Sequence, residues 1–546
     1  MNLIATVRRW RLALLAASFL SAAAVADTPP LAQIESAYAE LNDAYGALGL
    51  IESGFNTTYA GKGREQWSKI LESKLAEVGA SLSTLSADKL SQSDARAVLL
   101  MREAVDSLSE ASSLAPTRKC NDAQQKSLTS TALREALYAC FDELANNIEF
   151  EGAKFARVSA FDLLTRIEEP ERRRALFHAF VPLWQAVNGR SEADSPYRRM
   201  IAMAAAEARE KGSAVDAAAR TVGVSTSELE RWLEQILDAW RQVSGDAPIE
   251  PWDYRYIGGA ADREIGDAVS LDNMQPLNER YYKDLGAELN AWNVIYDLAP
   301  RPGKAPLAYA DYVSRGRTVE GVWRPTRVRV SGNYTRGGLG PLNELVHENG
   351  HVVHMMALRT RPAFMDLGDA VFYEAVADVP SWSTYEPAWQ QKYLGKRASE
   401  AASLRALYSS VMLDVAWSLF DLRMLREPTR DPNVVWTGIT SRYLHVVPHP
   451  DLSWWAVRVQ LVDSPGYMVN YGLGSVITAQ IRARIKDQLG PFETGDPRWY
   501  AWLSQRLFSS GYERETAELL RSFLGQPVSP AALLDELRRM KTTEGR

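Results

Sequence analysis

Two histidines four residues apart, His347 and His351, bracket Glu348, Asn349 and Gly350. On a helix, positions i and i+4 share one face, so both imidazoles can reach a single metal ion while Glu348 lies beside it as a proton acceptor. Imidazole nitrogens suit zinc, and a catalytic zinc site uses three protein ligands plus an open position for water. The third ligand is expected from a nearby second helix, which Asp369 opens as N-cap before Ala370-Val371-Phe372-Tyr373-Glu374-Ala375-Val376-Ala377-Asp378. Glu374 is the predicted ligand. Asp378 falls four residues later on the same face, where it would hydrogen-bond the outer nitrogen of a ligating histidine and fix its tautomer. Carboxylates on helices usually face solvent; next to a metal-binding helix, the ligand role is the stronger reading. The expectation is one Zn2+ per chain on His347, His351 and Glu374, with Glu348 as general base of a hydrolase. His354 shares the ligand face and is expected to be a packed histidine behind the site.

The elements that must position these groups are mostly helices. Pro341 suits a first helical turn, and Leu342, Leu345, Val346, Val353 and Met356 form an apolar stripe that would anchor the histidine-bearing helix. Amphipathic spacing runs from Leu31 to Leu114, and helix-favouring composition recurs at Ala205 to Lys211, Thr226 to Val243, Ala398 to Leu425 and Glu515 to Leu524. The exception is Thr326 to Ser331, which alternates with period two ahead of Gly332-Asn333 and predicts a short strand just before the metal helix. That strand is expected to pair with an extended peptide substrate. The proline-rich stretches Ala299 to Pro306 and Pro428 to Pro432 read as loops between helices. No fixed-period repeat and no long linker divides the chain.

The HExGH helix followed by a glutamate on the next helix resembles the gluzincin peptidases, and the E-A-V-x-D pattern at Glu374 to Asp378 is similar to the angiotensin-converting enzyme family, whose members are peptidyl-dipeptidases. Thimet oligopeptidase and oligopeptidase F share the helix and the plan. The resemblance implies a mainly α, two-lobed helical metallopeptidase fold with a deep central channel and a short β-sheet near the zinc helix, formed by residues 27–546 as one catalytic domain. It also implies that Ser464 to Tyr471 is the tyrosine segment facing zinc, with Tyr471 on the developing oxyanion and Tyr467 on the oxyanion or the substrate carboxylate. The four-residue spacing of this pair is closer to oligopeptidase F. Where converting enzymes have a histidine seven residues before the first tyrosine, this chain has Gln460, an amide that can still donate a hydrogen bond to substrate; either the transition-state donor is weakened there, or His445 or His449 substitutes from the preceding loop. Where they have a lysine that grips the substrate C-terminus, it has Arg458, able to hold a carboxylate bidentately. Near Asn470 it lacks their chloride-binding arginine. The function implied is zinc-dependent hydrolysis of oligopeptides with release of C-terminal dipeptides; the alternatives are internal cleavage of the oligopeptidase type or, with the chemistry lost, a peptide-binding protein.

Bulk properties agree with an exported globular enzyme. Hydrophobic residues make up 46% of the 546-residue chain and charged residues 24%, values that argue against disorder. The net charge of -6, with no basic stripe, argues against nucleic acid as a partner. Arg8, Arg9 and Arg11 precede an apolar run, Leu12 to Leu20, and then Ala24-Val25-Ala26, which predicts a signal peptide over residues 1–26 and a periplasmic or secreted mature protein. No later segment is long and apolar enough to span a membrane, so stable insertion after signal cleavage is not expected. Cys120 and Cys140, the only two cysteines, would pair in an oxidising compartment, a link worth roughly 3 kcal/mol in the chain-entropy view.

Overall fold

The computed structural model describes residues 30–85, 90–112, 118–301, 304 and 307–543. The expected signal peptide lies outside the described residues. Helices dominate, as the texture of the sequence implies, and the strands are few and short.

Three long helices come first, Leu31–Glu52, Arg64–Thr84 and Gln92–Ser112. Ile34, Leu41, Val78, Leu82 and Met101 make a small core of their own, closed by Ala363 and Phe364 from the segment that follows the histidine helix. The N-terminal helices thereby rest on the stretch joining the two halves of the candidate site. A larger contiguous apolar cluster runs from Cys120 to Met540, and the ligand-bearing helices lie within it. Cys120 and Cys140 are joined by a disulfide, with Cα atoms 4.4 Å apart.

The predicted helix over Thr226–Val243 forms with those bounds, started by Ser225, whose hydroxyl accepts from the Glu228 amide. Glu400–Arg426 is a 27-residue helix whose N-cap, Ser399, accepts from the Ala402 amide. The Pro428 to Pro432 stretch separates it from the helix Pro432–Leu444, which takes Pro432 at its first position.

The predicted strand forms as Arg327–Ser331, but its place in the sheet overturns the expected pairing with substrate. It is the central strand of three, parallel to Ile295–Asp297 and antiparallel to Tyr309–Ser314. From Arg329 to Ser331 both of its edges are therefore already hydrogen-bonded, and that stretch has no ladder left for an incoming peptide. Val328 and Val330 are instead buried where the sheet packs on the histidine helix.

Candidate metal centre

The histidine helix spans Leu339–Ala357, and its stripe of Leu342, Leu345, Val346, Val352 and Val353 is wholly buried. Burial of such side chains stabilises by about 1.5–3 kcal/mol each, which fixes the rotation of the helix about its axis. Two further contacts fix its position. Tyr296, from the first strand of the sheet, donates to Asn349 Oδ1 at 2.7 Å, and Tyr282 donates to the Val346 carbonyl at 2.6 Å.

The Glu374 helix, Ala370–Ser381, crosses it at very short range. A Cβ placed on Gly350 would lie 2.6 Å from Ala377 Cα and 2.7 Å from its carbonyl oxygen, so glycine at this position is a condition of the crossing. Asn343 Nδ2 ties the start of one helix to the end of the other, donating to the Ser381 carbonyl at 2.8 Å. A third helix, Val469–Leu489, lies on the Glu374 helix, with Thr478 Oγ1 donating to the Ala375 carbonyl at 3.0 Å.

These crossings bring His347, His351 and Glu374 together, one ligand atom from each lying within 4.8 Å of the others; no other such group of metal-ligating side chains occurs among the described residues. His347 Nε2 is 3.5 Å from Glu374 Oε2, while its Nδ1 is 2.7 Å from Asp378 Oδ1. Asp378 thus engages the outer nitrogen, leaving Nε2 for a ligand role. The rings of His347 and His351 stand perpendicular, their centroids 4.9 Å apart. His351 is buried, and its Nδ1 has no hydrogen-bond partner. Two imidazoles and one carboxylate, one ligand atom from each, form a donor set that fits a divalent cation of zinc's type.

The electrostatics reflect a buried cluster of opposed charges. Burial pushes the Glu348 carboxyl up to about 8, with Glu344 and Glu374 adding to the rise and His347 opposing it. Burial lowers the His351 imidazole, and the neighbouring His347 lowers it further. His347 is raised: burial acts against its cation, but Asp378, Glu374 and Glu348 outweigh that cost.

No protein-family model matches the chain, and no curated protein matches it in sequence. Solved structures do match it in three dimensions. The M32 carboxypeptidase from Deinococcus radiodurans R1 superposes with a TM-score of 0.60 at 15% identity, covering 94% of this chain and 99% of that one. The protein CHT gives 0.55 at 16% identity over 93% and 99%, and Trypanosoma cruzi metallocarboxypeptidase 1 gives 0.52 at 13% over 94% and 99%. The chain shares its fold with metallocarboxypeptidases. At these identities the likeness concerns architecture, and the chemistry has to be argued from the side chains.

Both sequence-predicted tyrosines approach the triad. Burial raises the phenols of Tyr467 and Tyr471, and the Glu374 carboxylate adds to each shift, so both remain protonated donors at neutral pH. Tyr471 OH accepts from Gln460 Nε2 at 3.1 Å, which leaves its own proton to donate elsewhere. Tyr467 OH lies 3.4 Å from the hydroxyl of Tyr373, a third phenol that sequence reasoning passed over although it adjoins Glu374. Also passed over was Asp421, buried in helix Glu400–Arg426, whose Oδ2 accepts from the amides of Gly466 at 2.8 Å and Met468 at 3.2 Å and so clamps the turn carrying Tyr467. No sequence spacing marked Asp421, because it lies 45 residues before Gly466.

Of the remaining candidates, Arg458 lies beside Tyr471, and the other histidines fall elsewhere. Arg458 pairs with Asp414 and lies over the rings of Trp417, at 4.6 Å, and Tyr471, at 5.8 Å. His354 is packed between Phe372 and Phe508, and burial takes it down to about 3, an uncharged core histidine. His449 bonds Glu250 at 2.8 Å and His445 contacts the Arg241 carbonyl at 3.2 Å, so each ring is engaged outside the triad and Gln460 is the side chain that reaches Tyr471. His178 meets the Phe177 ring edge-on and the Trp252 ring at a tilt, a structural role.

Proposed function

We propose that the protein is a zinc-dependent peptidase that hydrolyses peptide bonds near the C-termini of oligopeptides. The observation that carries this reading is the convergence of His347, His351 and Glu374 within 4.8 Å, with Asp378 on the outer nitrogen of His347. The shared fold with proteins described as carboxypeptidases supports an exopeptidase acting at the C-terminus. The converting-enzyme pattern around Glu374 favours release of dipeptides, and the spacing of Tyr467 and Tyr471 favours internal cleavage; the mass of the products discriminates among one residue, two residues and internal fragments.

Zinc held by the triad would supply Lewis-acid polarisation of the scissile carbonyl and acidify the attacking water. The chain's own groups do the rest. Glu348 is one helical position from His347, where its carboxylate can take a proton from the attacking water and pass it to the leaving amine. Tyr471, fixed by Gln460, and Tyr467, beside Tyr373, present hydroxyl protons to the developing oxyanion. Asp378 holds the His347 tautomer and strengthens its ring as a donor.

We assign residues 27–546 to a single two-lobed catalytic unit and residues 1–26 to a cleaved export signal, giving a periplasmic or secreted enzyme. The Cys120–Cys140 disulfide supports an oxidising compartment, and no helix among the described residues is long and apolar enough to cross a membrane. Metal analysis coupled to peptide cleavage tests the core reading: about one zinc per chain, activity abolished by a chelator and restored by zinc. Cleavage that survives complete removal of metal would defeat it.

A further inference from the structure

One face of the histidine helix leads from solvent to the candidate metal centre. Gly340 lies one turn before Glu344, and His347, Glu348 and His351 follow Glu344 at helical spacing, so these positions share that face. Exposure falls along it: Gly340 is exposed with open space beside it, Glu344 and His347 are half-buried, and Glu348 and His351 are buried. Glu344 therefore stands one turn outside His347, on the way in.

No lysine or arginine among the described residues makes an ion pair with Glu344. Arg157, at the start of the helix Arg157–Leu164, acts on it only from a distance, and its guanidinium lies 5.6 Å from the centroid of the Phe161 ring. The next acid along the face, Glu348, adds to the negative charge of this stretch. Burial raises the Glu344 carboxyl, and the Tyr334 hydroxyl, His347 and Arg157 oppose the rise.

Tyr334, which follows the strand Arg327–Ser331, faces this carboxyl. Its amide donates to the Leu298 carbonyl at 2.9 Å, and its ring packs on Gly332 so closely that a Cβ there would come within 2.7 Å of it. Only 7% of Tyr334 is exposed, yet its hydroxyl has no hydrogen-bond partner. Glu344 and Glu348 both raise this phenol, so the hydroxyl lies near the two carboxyls while falling short of a hydrogen bond with either. A buried hydroxyl without a partner is costly. Beside an unpaired carboxylate it marks a place for a group rich in N–H donors, because a phenol oxygen and a carboxylate both accept; an ammonium has three such donors and a guanidinium five.

We propose that Glu344 and Tyr334 form a subsite for a cationic group of the peptide substrate, one helical turn from His347. This rests on the peptidase reading above and deepens it by naming a class of substrate. The cation is either a lysine or arginine side chain or the free amino terminus of a short peptide, and both bring the same charge and the same kind of donor.

The test is calorimetry on the zinc-loaded full chain carrying Glu348→Gln, so that bound peptide is not consumed. The ligands are acetyl-tetraalanine, tetraalanine with a free amino terminus, and acetylated tetrapeptides with lysine or glutamine at each position in turn. A side-chain subsite gives lysine an advantage over glutamine of about tenfold or more at one position, the size of a charge-assisted hydrogen bond; an amino-terminal subsite gives that advantage to the unacetylated peptide. In either case Glu344→Gln should abolish the advantage and Tyr334→Phe should reduce it. Glu344→Lys should transfer it to the matching anion, glutamate in place of lysine or a succinyl group in place of the free amine, which a merely structural role for Glu344 would not produce. Zinc content at the parental level shows that each variant is folded, and Glu344→Gln decides the case if the lysine variant is not. An advantage that survives in Glu344→Gln, or none at any position in the parent, overturns the proposal. If the Glu348-containing enzyme cleaves no peptide but Glu344-dependent binding persists, the peptidase reading fails and the subsite stands; if it cleaves peptides with no Glu344-dependent discrimination, the subsite fails and the peptidase reading stands.

Discussion

His347 Nδ1 and Asp378 Oδ1 are 2.7 Å apart across two crossing helices, and this contact joins the metal site to the fold. Asp378 itself is no ligand. By accepting from the outer nitrogen it aims Nε2 at Glu374 and raises the basicity of the ring. Asp378→Ala is therefore expected to lower zinc affinity by about 10–100-fold, with Asp378→Asn in between. Competition against a chromogenic chelator measures this directly, and an affinity unchanged in Asp378→Ala would show that the contact does not tune the metal.

Glu348→Gln separates chemistry from binding. The amide keeps the shape of the carboxyl but cannot carry a proton, so kcat should fall by about 10²–10⁴-fold while zinc content is retained. His351→Ala should lose the metal as well. Parallel metal analysis and turnover of one peptide distinguish the two variants, and near-normal turnover in Glu348→Gln would remove Glu348 from the role of base.

How much of this was legible in the sequence follows from the range of each interaction. The metal helix was legible because its ligands, its stripe and its strand-forming neighbour all lie within a short local window, and helical periodicity converts spacing into geometry. Glu374 and Asp378 were legible for the same reason on the next helix. What stayed hidden depends on long-range contact: the central position of Arg327–Ser331 and the Asn349–Tyr296 bond across 53 residues. A strand's neighbours are set by chain topology, which period-two alternation does not encode, so the same residues that predict a strand cannot say whether its edges are free.

Gly350 is the residue that permits the helix crossing, and alanine there sets two effects against each other. Higher helix propensity would favour alanine by about 1 kcal/mol. The added Cβ would meet Ala377 Cα at 2.6 Å, and backbone cannot yield as a flexible side chain can. Overpacking of this kind costs about 1–3 kcal/mol, so the clash should win. Gly350→Ala is expected to lower the melting temperature and, by moving Glu374 away from His347 and His351, to weaken zinc binding. A variant as stable as the parent with full zinc occupancy would show that the helices can separate without cost.

The tyrosines should lose rate more than affinity. Tyr471→Phe removes a proton aimed at an oxyanion that exists only as the reaction proceeds, so kcat should fall by about 10²–10³-fold with KM and zinc little changed. Tyr467→Phe should act in the same direction, and Gln460→Ala should produce a milder loss by releasing the Tyr471 hydroxyl. Equal losses expressed in KM alone would place the phenols on the ground-state substrate instead.

Asp421 gives a pH prediction whose sign can be worked out. Burial raises its carboxyl from 3.8 to about 7, while the Gly466 and Met468 amides hold it down to that value. In the folded chain the proton is thus bound more tightly than in the unfolded chain, so the contribution to stability is fully present below about pH 4 and is lost progressively as pH rises to about 7. Asp421→Asn keeps an oxygen to accept from both amides and removes the titration. Its stability should then vary less than the parent's between pH 4 and 7, with the Tyr467 turn and kcat largely preserved. Asp421→Ala removes the oxygen that accepts from both amides, leaves two buried amides unpaired and should lower kcat through displacement of Tyr467, with zinc retained. Denaturant unfolding at several pH values, read beside kcat, decides the case: an Asp421→Asn profile parallel to the parent's would mean that this carboxyl does not titrate in the folded protein over that range.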